Sequence, residues 1–256
     1  MENEIKTFLD ALKPALWLDQ SFIQLGNGIL IAGKDSSDTV TYWHKFHYIT
    51  DINASAVITK ADRKVFERFL SNMSKSKGYL EFTEEEGYLR VLIRGEKEAD
   101  YLLLKDQFPG IKFPENELFG VSLDQNLMLS MLDILYHTHD VINIKADVER
   151  DNVILSASNE YVTANIPLNR MRYGINLKGT FEVSFPAKRL YMFVKNFVKS
   201  KNPVLFKANS EMVWAEVYYP ADNERYNSYG LMVKPVIKED QNKEDQNKAE
   251  SEADAQ

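Results

Sequence analysis

The sequence has 256 residues, of which 44% are hydrophobic, and a formal net charge of −7. This length is enough for one large or two ordinary domains with a substantial core. There is no cysteine, which excludes disulfides and cysteine-based zinc sites. No stretch approaches the roughly 20 apolar residues of a membrane span, and the charged N-terminus lacks the apolar run of a signal peptide. We therefore expect a soluble intracellular protein without a membrane partner.

The first half of the chain begins with a predicted amphipathic helix and continues as strands. Ile5, Phe8, Leu9 and Leu12 recur at helical spacing over residues 3–13, and Pro14 should end the helix. Further elements follow: strands over 22–25, 28–32, 39–47 and 51–58, a basic helix over 61–73, and strands over 79–83, 87–94 and 99–104.

Residues 105–117 are the best linker candidate. They hold Pro109, Gly110 and Pro114 with apolar residues between them, which is typical of a segment lying across a surface. The second half then has strands over 119–123, 141–148, 152–157, 161–168, 181–185, 204–208, 212–219 and 229–237, with helices over 124–136, capped by Asp124, and 187–199.

The second half repeats the plan of the first at an offset of about 125 residues. Residues 57–72 and 182–196 each read as the end of a strand, a break and a basic amphipathic helix. In this alignment Val65, Phe66 and Phe69 correspond to Leu190, Tyr191 and Val194. A long period repeated twice indicates two copies of one domain. We predict an α+β fold with antiparallel sheets: a first domain over 1–104, a connector over 105–117 and a second domain over 118–237.

Residues 238–256 form an acidic tail with seven acids and three lysines, a net −4. The tail has no aromatic or β-branched residue, so burial cannot offset the entropy of ordering it. We expect the tail to be disordered. The remaining −3 argues against a surface that is basic all round, but permits a local basic face.

Two segments carry a resemblance to a known family. Residues 113–118 read Phe-Pro-Glu-Asn-Glu-Leu before a strand and a helix, and residues 229–235 form a C-terminal strand that ends in proline before the charged tail. This order of elements, doubled over residues 5–237, resembles the DNA sliding clamps, both the proliferating cell nuclear antigen type and those of T-even-like phages.

The resemblance implies a homotrimeric ring of six domains, lined inside by helices and bounded outside by sheets. Duplex DNA would pass through the channel, and basic residues would contact its phosphates without reading sequence. The expected channel residues are Lys6, Lys13, Arg63, Lys64, Arg68, Lys75, Lys188, Arg189, Lys195 and Lys199. The alternative is that each of these lysines and arginines is an ordinary solvent-exposed residue without a DNA contact. The second-copy helix over 124–136 is nearly free of basic residues, which His137, His139 and Lys145 would partly offset.

The resemblance also implies partners: a DNA polymerase, a clamp-loader ATPase and other proteins with short docking peptides. Their groove would lie under the connector and include Val40, Ile111, Phe113, Met212, Met232 and Val233. Methionine suits a groove that accepts varied partners, although Met and Val on strands can equally be core. The ring would close through edge strands near residues 80–83 and 171–177.

No enzyme is expected, because the nucleotide-binding and nucleophile-elbow motifs are absent. His44 and His47 would point to opposite faces of a strand, and His137 and His139 lack further ligands, so we expect no metal and no cofactor. Two alternatives stay open: a clamp-like platform for transcription activation or checkpoint signalling in a heteromeric ring, and a duplicated structural protein without a DNA role. A clamp would act in the cytoplasm or at the nucleoid, or in the nucleus of a eukaryote.

Overall fold

The computed structural model describes residues 4–48, 50–147, 149, 152–198, 202–221 and 226–236. The acidic tail and Lys199 lie outside the described residues. The first half contains the helices α1 (Glu4–Leu16) and α2 (Asp62–Met73) and the strands β1 (Gln20–Gly26), β2 (Gly28–Lys34), β3 (Val40–Phe46), β4 (Ser55–Val57), β5 (Gly78–Glu85), β6 (Tyr88–Gly95) and β7 (Ala99–Leu104).

The second half follows the same plan. Its helices are α3 (Gln125–Thr138), α4 (Arg170–Tyr173) and α5 (Ala187–Asn196). Its strands are β8 (Phe119–Leu123), β9 (Val141–Asp147), β10 (Asn152–Ser158), β11 (Thr163–Leu168), β12 (Asn176–Leu177), β13 (Phe181–Pro186), β14 (Val204–Ala208), β15 (Val213–Pro220) and β16 (Tyr226–Val233). No helix in the described part of the chain is long and apolar enough to cross a membrane.

The described strands form three antiparallel sheets. The largest has nine strands in the order β12-β8-β14-β15-β16-β3-β2-β1-β4, and it runs through both halves because β16 pairs with β3. A four-stranded sheet has the order β11-β10-β9-β13, and a three-stranded sheet has the order β5-β6-β7. The α+β prediction is confirmed.

The two halves are related by an internal repeat in their sheet orders. The order β3-β2-β1-β4 in the first half matches β11-β10-β9-β13 in the second, and β5-β6-β7 matches β14-β15-β16. Fully buried residues fix the offset at 124, which aligns Ile31 with Leu155 and Phe66 with Leu190. The offset of about 125 is therefore one residue too long, because it aligned Val65, which is 57% exposed, with the buried Leu190.

The helices pack in two pairs, α1 with α2 and α3 with α5, over one face of the sheets. We call this side the helix face and the opposite side the outer face. Strand alternation separates them in β3: Tyr42 belongs to the main core and donates a hydrogen bond to the Ala11 carbonyl of α1, whereas Trp43 belongs to a separate cluster.

Some element boundaries differ from the predictions. Helix α1 runs through Pro14, because Pro14 and Ala15 are buried against the sheet and tertiary packing outweighs the missing amide. Helix α3 begins as predicted, with the Asp124 carboxylate accepting the Leu127 amide at 2.9 Å. The short elements α4 and β12 were not predicted, since four and two residues are too few to show a period.

Candidate functional site

Part of the predicted basic surface is exposed on the helices as expected. Lys64 and Arg68 are exposed four residues apart on α2, so they share one side of that helix. Lys6 on α1, Lys75 just beyond α2 and Lys188 in the first turn of α5 are also exposed. Within the described residues, no ion pair involves Lys64, Arg68, Lys75 or Lys188. These four charges are available to an anionic partner.

Three other predicted channel residues make contacts within the protein. Lys13 forms an ion pair with Asp10 at 2.9 Å. The Arg63 guanidinium donates to the Asp19 carbonyl, which ties α2 to the turn before β1. The Arg189 guanidinium lies 4.8 Å from the centre of the Trp17 ring and so joins α5 to the first half.

The last described channel residue, Lys195, belongs to a chain of polar contacts between α5 and α3. Its ammonium group donates to the Tyr191 hydroxyl at 3.0 Å, and this hydrogen bond raises the pKa of Lys195. The Tyr191 hydroxyl in turn donates to the Asp133 carboxylate at 2.6 Å. An acid thus accompanies the lysine. Of the predicted channel residues on these helices, α2 offers two exposed cations without an ion pair or side-chain hydrogen bond among the described residues, Lys64 and Arg68, and the α3–α5 pair offers one, Lys188. Lys145 does not offset this, because it points to the outer face of β9 while its neighbours Ile144 and Ala146 are buried.

An aromatic cluster lies on the outer face, under the connector. Its floor is formed by the buried side chains of Trp43, Trp214 and Met232. Leu30, Ile111 and Met212 pack around this floor. Phe113 meets Trp43 edge-on, with 5.4 Å between ring centres, and remains 47% exposed. We call this set of seven residues the aromatic groove.

The groove brings together four of the six predicted residues: Ile111, Phe113, Met212 and Met232. Val40 and Val233 belong instead to the main core, on the helix face of the same strands. The two tryptophans of the floor were not predicted. The indole of Trp43 lies against Gly230, where an added Cβ would come within 2.5 Å of the ring, so the glycine is required for this packing.

The connector is fixed at both ends. At its start, the Ser55 hydroxyl accepts the Phe108 amide at 3.2 Å, and Phe108 packs against Phe22. At its end, the Asn209 side-chain amide donates to the Asn116 carbonyl at 2.8 Å. Lys207 also pairs with Glu117 at 3.0 Å and with Glu216 at 2.6 Å, which secures the end of the connector to β14 and β15.

A surface cavity of about 400 Å³ adjoins the groove. It lies between connector residues 112–116, together with Leu118, and the turn over 209–212. Phe113 and Met212 line both the cavity and the groove. There is therefore free space beside the phenyl ring of Phe113.

A buried histidine joins the two halves on the helix face. His44 is 7% exposed and stacks between the rings of Phe46 and Tyr229. Its Nε2 lies 2.7 Å from the Tyr219 hydroxyl, and its Nδ1 lies 3.2 Å from the Tyr42 hydroxyl. Burial lowers the pKa of His44 to about 3, so the imidazole is neutral. The sequence pattern placed His44 and His47 on opposite faces, and His47 is indeed exposed while His44 is buried. The pattern did not predict the role of His44 in the junction.

No group of three or more His, Asp or Glu that could hold a metal occurs in the described ranges.

Comparisons with known proteins identify the fold. No family model matches the sequence, and no curated protein matches it. Among solved structures, the crystal structure of proliferating cell nuclear antigen from Thermococcus kodakaraensis is similar, with a TM-score of 0.67 and 14% sequence identity. The match covers 91% of this chain and 97% of the archaeal chain. The chain therefore has the clamp fold that the sequence resemblance predicted. At this identity the likeness establishes the fold alone.

Proposed function

We propose that the chain is the subunit of a homotrimeric DNA sliding clamp. The ring encircles duplex DNA without reading its sequence, tethers the replicative DNA polymerase as a processivity factor, and is opened by a clamp-loader ATPase. Other partners dock by short peptides in the aromatic groove. The protein acts as a scaffold, with no reaction, metal or cofactor of its own, in the compartment where DNA is replicated.

The observation that carries this proposal is the basic surface on the helix face. Lys64, Arg68, Lys75 and Lys188 are exposed at the two helices that the internal repeat makes equivalent, α2 and α5. Exposed, flexible lysine and arginine side chains suit contacts to DNA phosphates, which hold a duplex electrostatically and allow it to slide. A protein making specific base contacts would instead stop at its site.

The internal repeat also supports ring closure. Within the chain the halves join where β16 pairs with β3. The repeat equivalents of these strands are β7 and β11, and in the described structure each has a strand partner on one side only. Both open edges carry exposed apolar side chains: Leu102 and Leu104 on β7, and Tyr161 and Val162 just before β11. If the internal joint is repeated between subunits, β7 of one copy pairs with β11 of the next.

The repeat specifies a register for this joint. Val91 pairs with Tyr101 as Ala215 pairs with Leu231, so Tyr101 is equivalent to Leu231. By the same comparison of β10–β11 with β2–β3, Ala164 is equivalent to Tyr42. Because Leu231 pairs with Tyr42, Tyr101 should lie opposite Ala164 of the neighbouring subunit. Leu102 then lies opposite Thr163.

The strands near the edges expected from the sequence, β5 and β12, also lie at the ends of their sheets, but the internal repeat favours β7 and β11 for the joint. Residues 80–83 lie in β5, where the Tyr48 hydroxyl also reaches the Leu80 carbonyl. Residues 171–177 fall in α4 and β12, and β12 pairs with β8. Neither is equivalent to a strand of the internal joint.

The first experiment is the mass in solution by light scattering, followed by retention on circular and on linearised DNA after loading. A homotrimer has three times 29.6 kDa, about 89 kDa. A clamp of that mass should stay on circles and run off free ends. Binding that is indifferent to ends would refute a topological clamp.

The same experiment tests the alternatives. A monomer at every concentration that forms a ring only with other chains would favour a heteromeric platform in transcription activation or checkpoint signalling. A monomer with no affinity for DNA would favour a structural protein.

A further inference from the structure

The middle of the connector is held differently from its ends. Among the described residues, no backbone hydrogen bond involves residues 109–115. Gly110 has a φ of +77°, which other residues rarely adopt, and nothing lies within 4 Å of the position its Cβ would take. The segment therefore rests on the protein mainly through Ile111 and Phe113.

These two side chains seal the floor of the aromatic groove. Trp43 and Trp214 are only 3% and 5% exposed, although they lie on the outer face of the sheet under an irregular segment. Ile111 packs against the cluster, and Phe113 covers Trp43. A partner side chain cannot reach the tryptophans while both stay in place.

We infer that residues 109–115 are a lid whose Ile111 and Phe113 occupy the groove in place of a partner peptide. A partner gains access by displacing the lid and supplying the same two contacts. It is therefore an extended segment with an aliphatic residue followed two positions later by an aromatic one. The inference deepens the proposed function, from which it takes the groove as docking site, but the exchange itself requires neither a ring nor DNA.

Two features of the structure allow this exchange. The ends of the connector are fixed by Phe108 and by the Lys207 ion pairs, so the lid can lift without freeing the connector. The cavity beside Phe113 gives the ring space to leave Trp43. A tethered occupant competes at an effective concentration on the order of millimolar, so it lowers the apparent affinity of every incoming peptide by the same factor.

The test uses the connector's own sequence as the probe. A fluorescently labelled peptide of residues 107–118 is titrated into the full-length protein and into the double variant Ile111→Ala/Phe113→Ala. Because the variant lacks the resident side chains, the peptide should bind it at least about ten-fold more tightly than it binds the wild type. A peptide carrying the same two alanines should bind neither protein.

Val65→Ala/Ile134→Ala is the matched control, since it removes two exposed aliphatic side chains from helices α2 and α3, away from the connector. It should bind the probe like the wild type. Equal affinity for wild type and double variant, or no binding to the variant at millimolar peptide, overturns the lid.

If the double variant does not fold by circular dichroism, Gly110→Ala replaces it. Alanine at a φ of +77° strains the lid without a steric clash, and should also strengthen probe binding. Unchanged binding to Gly110→Ala would then contradict the lid. Failure of the DNA-retention experiment would leave these results unaffected, so the two proposals fail separately.

Discussion

At the scale of single residues, His44 makes the stability of the domain junction depend on pH. Its pKa is lowered to about 3 in the folded protein, whereas an unfolded histidine titrates near pH 6.5. Between these two values the unfolded state binds a proton that the folded state does not. The contribution of His44 to the free energy of unfolding is therefore complete above pH 6.5 and is lost as the pH falls from about 6.5 toward 3. Urea unfolding at several pH values should show a slope of up to about 1.4 kcal/mol per pH unit from this residue in that window.

Two substitutions isolate this effect from the other groups that titrate in acid. His44→Gln keeps a side chain able to hydrogen-bond the tyrosines, and should flatten the pH dependence while lowering stability at pH 7.5. His47→Gln is the matched control, because His47 is exposed, and should leave the slope unchanged. A slope that persists in His44→Gln would contradict the assignment.

Arg189 illustrates a residue whose role differs from the one its charge predicted. Its guanidinium stacks on Trp17, and such contacts contribute about 0.5–2 kcal/mol. We expect Arg189→Ala to lower the free energy of unfolding by about that amount. In the Trp17→Leu background, where the ring is absent, the same change should cost less. Additive losses in the double-mutant cycle would exclude a contribution from the contact.

The sequence could predict some groove residues and not others for a physical reason. Ile111 and Phe113 were predicted through the family resemblance, which places the groove under the connector to which both residues belong. Val40 and Trp43 could not be assigned to their faces, since β3 is buried on both sides over residues 40–44 and carries no polar alternation. Contacts across the junction, such as that of His44 with Tyr219, join residues 175 positions apart and leave no local signal.

At the scale of elements, α2 should carry more of the DNA affinity than the α3–α5 pair. Lys64→Ala and Arg68→Ala each remove one exposed cation, so each should weaken binding equally for all sequences and reduce the slope of log K against log salt by about 1. Lys145→Ala makes the same charge change on the outer face and should do neither. Fluorescence anisotropy with a labelled duplex at several salt concentrations measures both. An equal effect of Lys145→Ala would mean that net charge, and not the helix face, determines binding.

The positions of most helices and strands were predictable, because each covers a long enough run of residues to show its hydrophobic period. Strand β8 and the N-terminus of α3 agree with their predicted positions, where an alternating run and an Asp cap are unambiguous. The offset of the repeat was one residue too long, since basic and apolar residues crowd α2 and α5 and the pattern did not separate Val65 from Phe66. Only burial shows that Phe66 is the residue facing the core.

At the scale of the whole molecule, one joint used inside the chain and again between chains is an economical way to close a ring. The β16–β3 pairing already shows that an edge equivalent to β7 fits an edge equivalent to β11 in this fold. Leaving two complementary edges open on one chain is otherwise an aggregation hazard. A heterologous contact that closes removes both edges at once.

The register of that joint gives the sharpest test, because the chain has no cysteine of its own. Leu102→Cys combined with Thr163→Cys should place two sulfurs opposite each other at every subunit boundary. Mild oxidation should then produce a covalent trimer, resistant to SDS without reductant. Leu102→Cys combined with Asn165→Cys shifts the pair by two residues along the same face and should cross-link far less, since diagonal positions lie about 7–8 Å apart. If the shifted pair closes the ring and the predicted pair does not, β7 and β11 meet in another register, and the joint between subunits is not a copy of the joint within them.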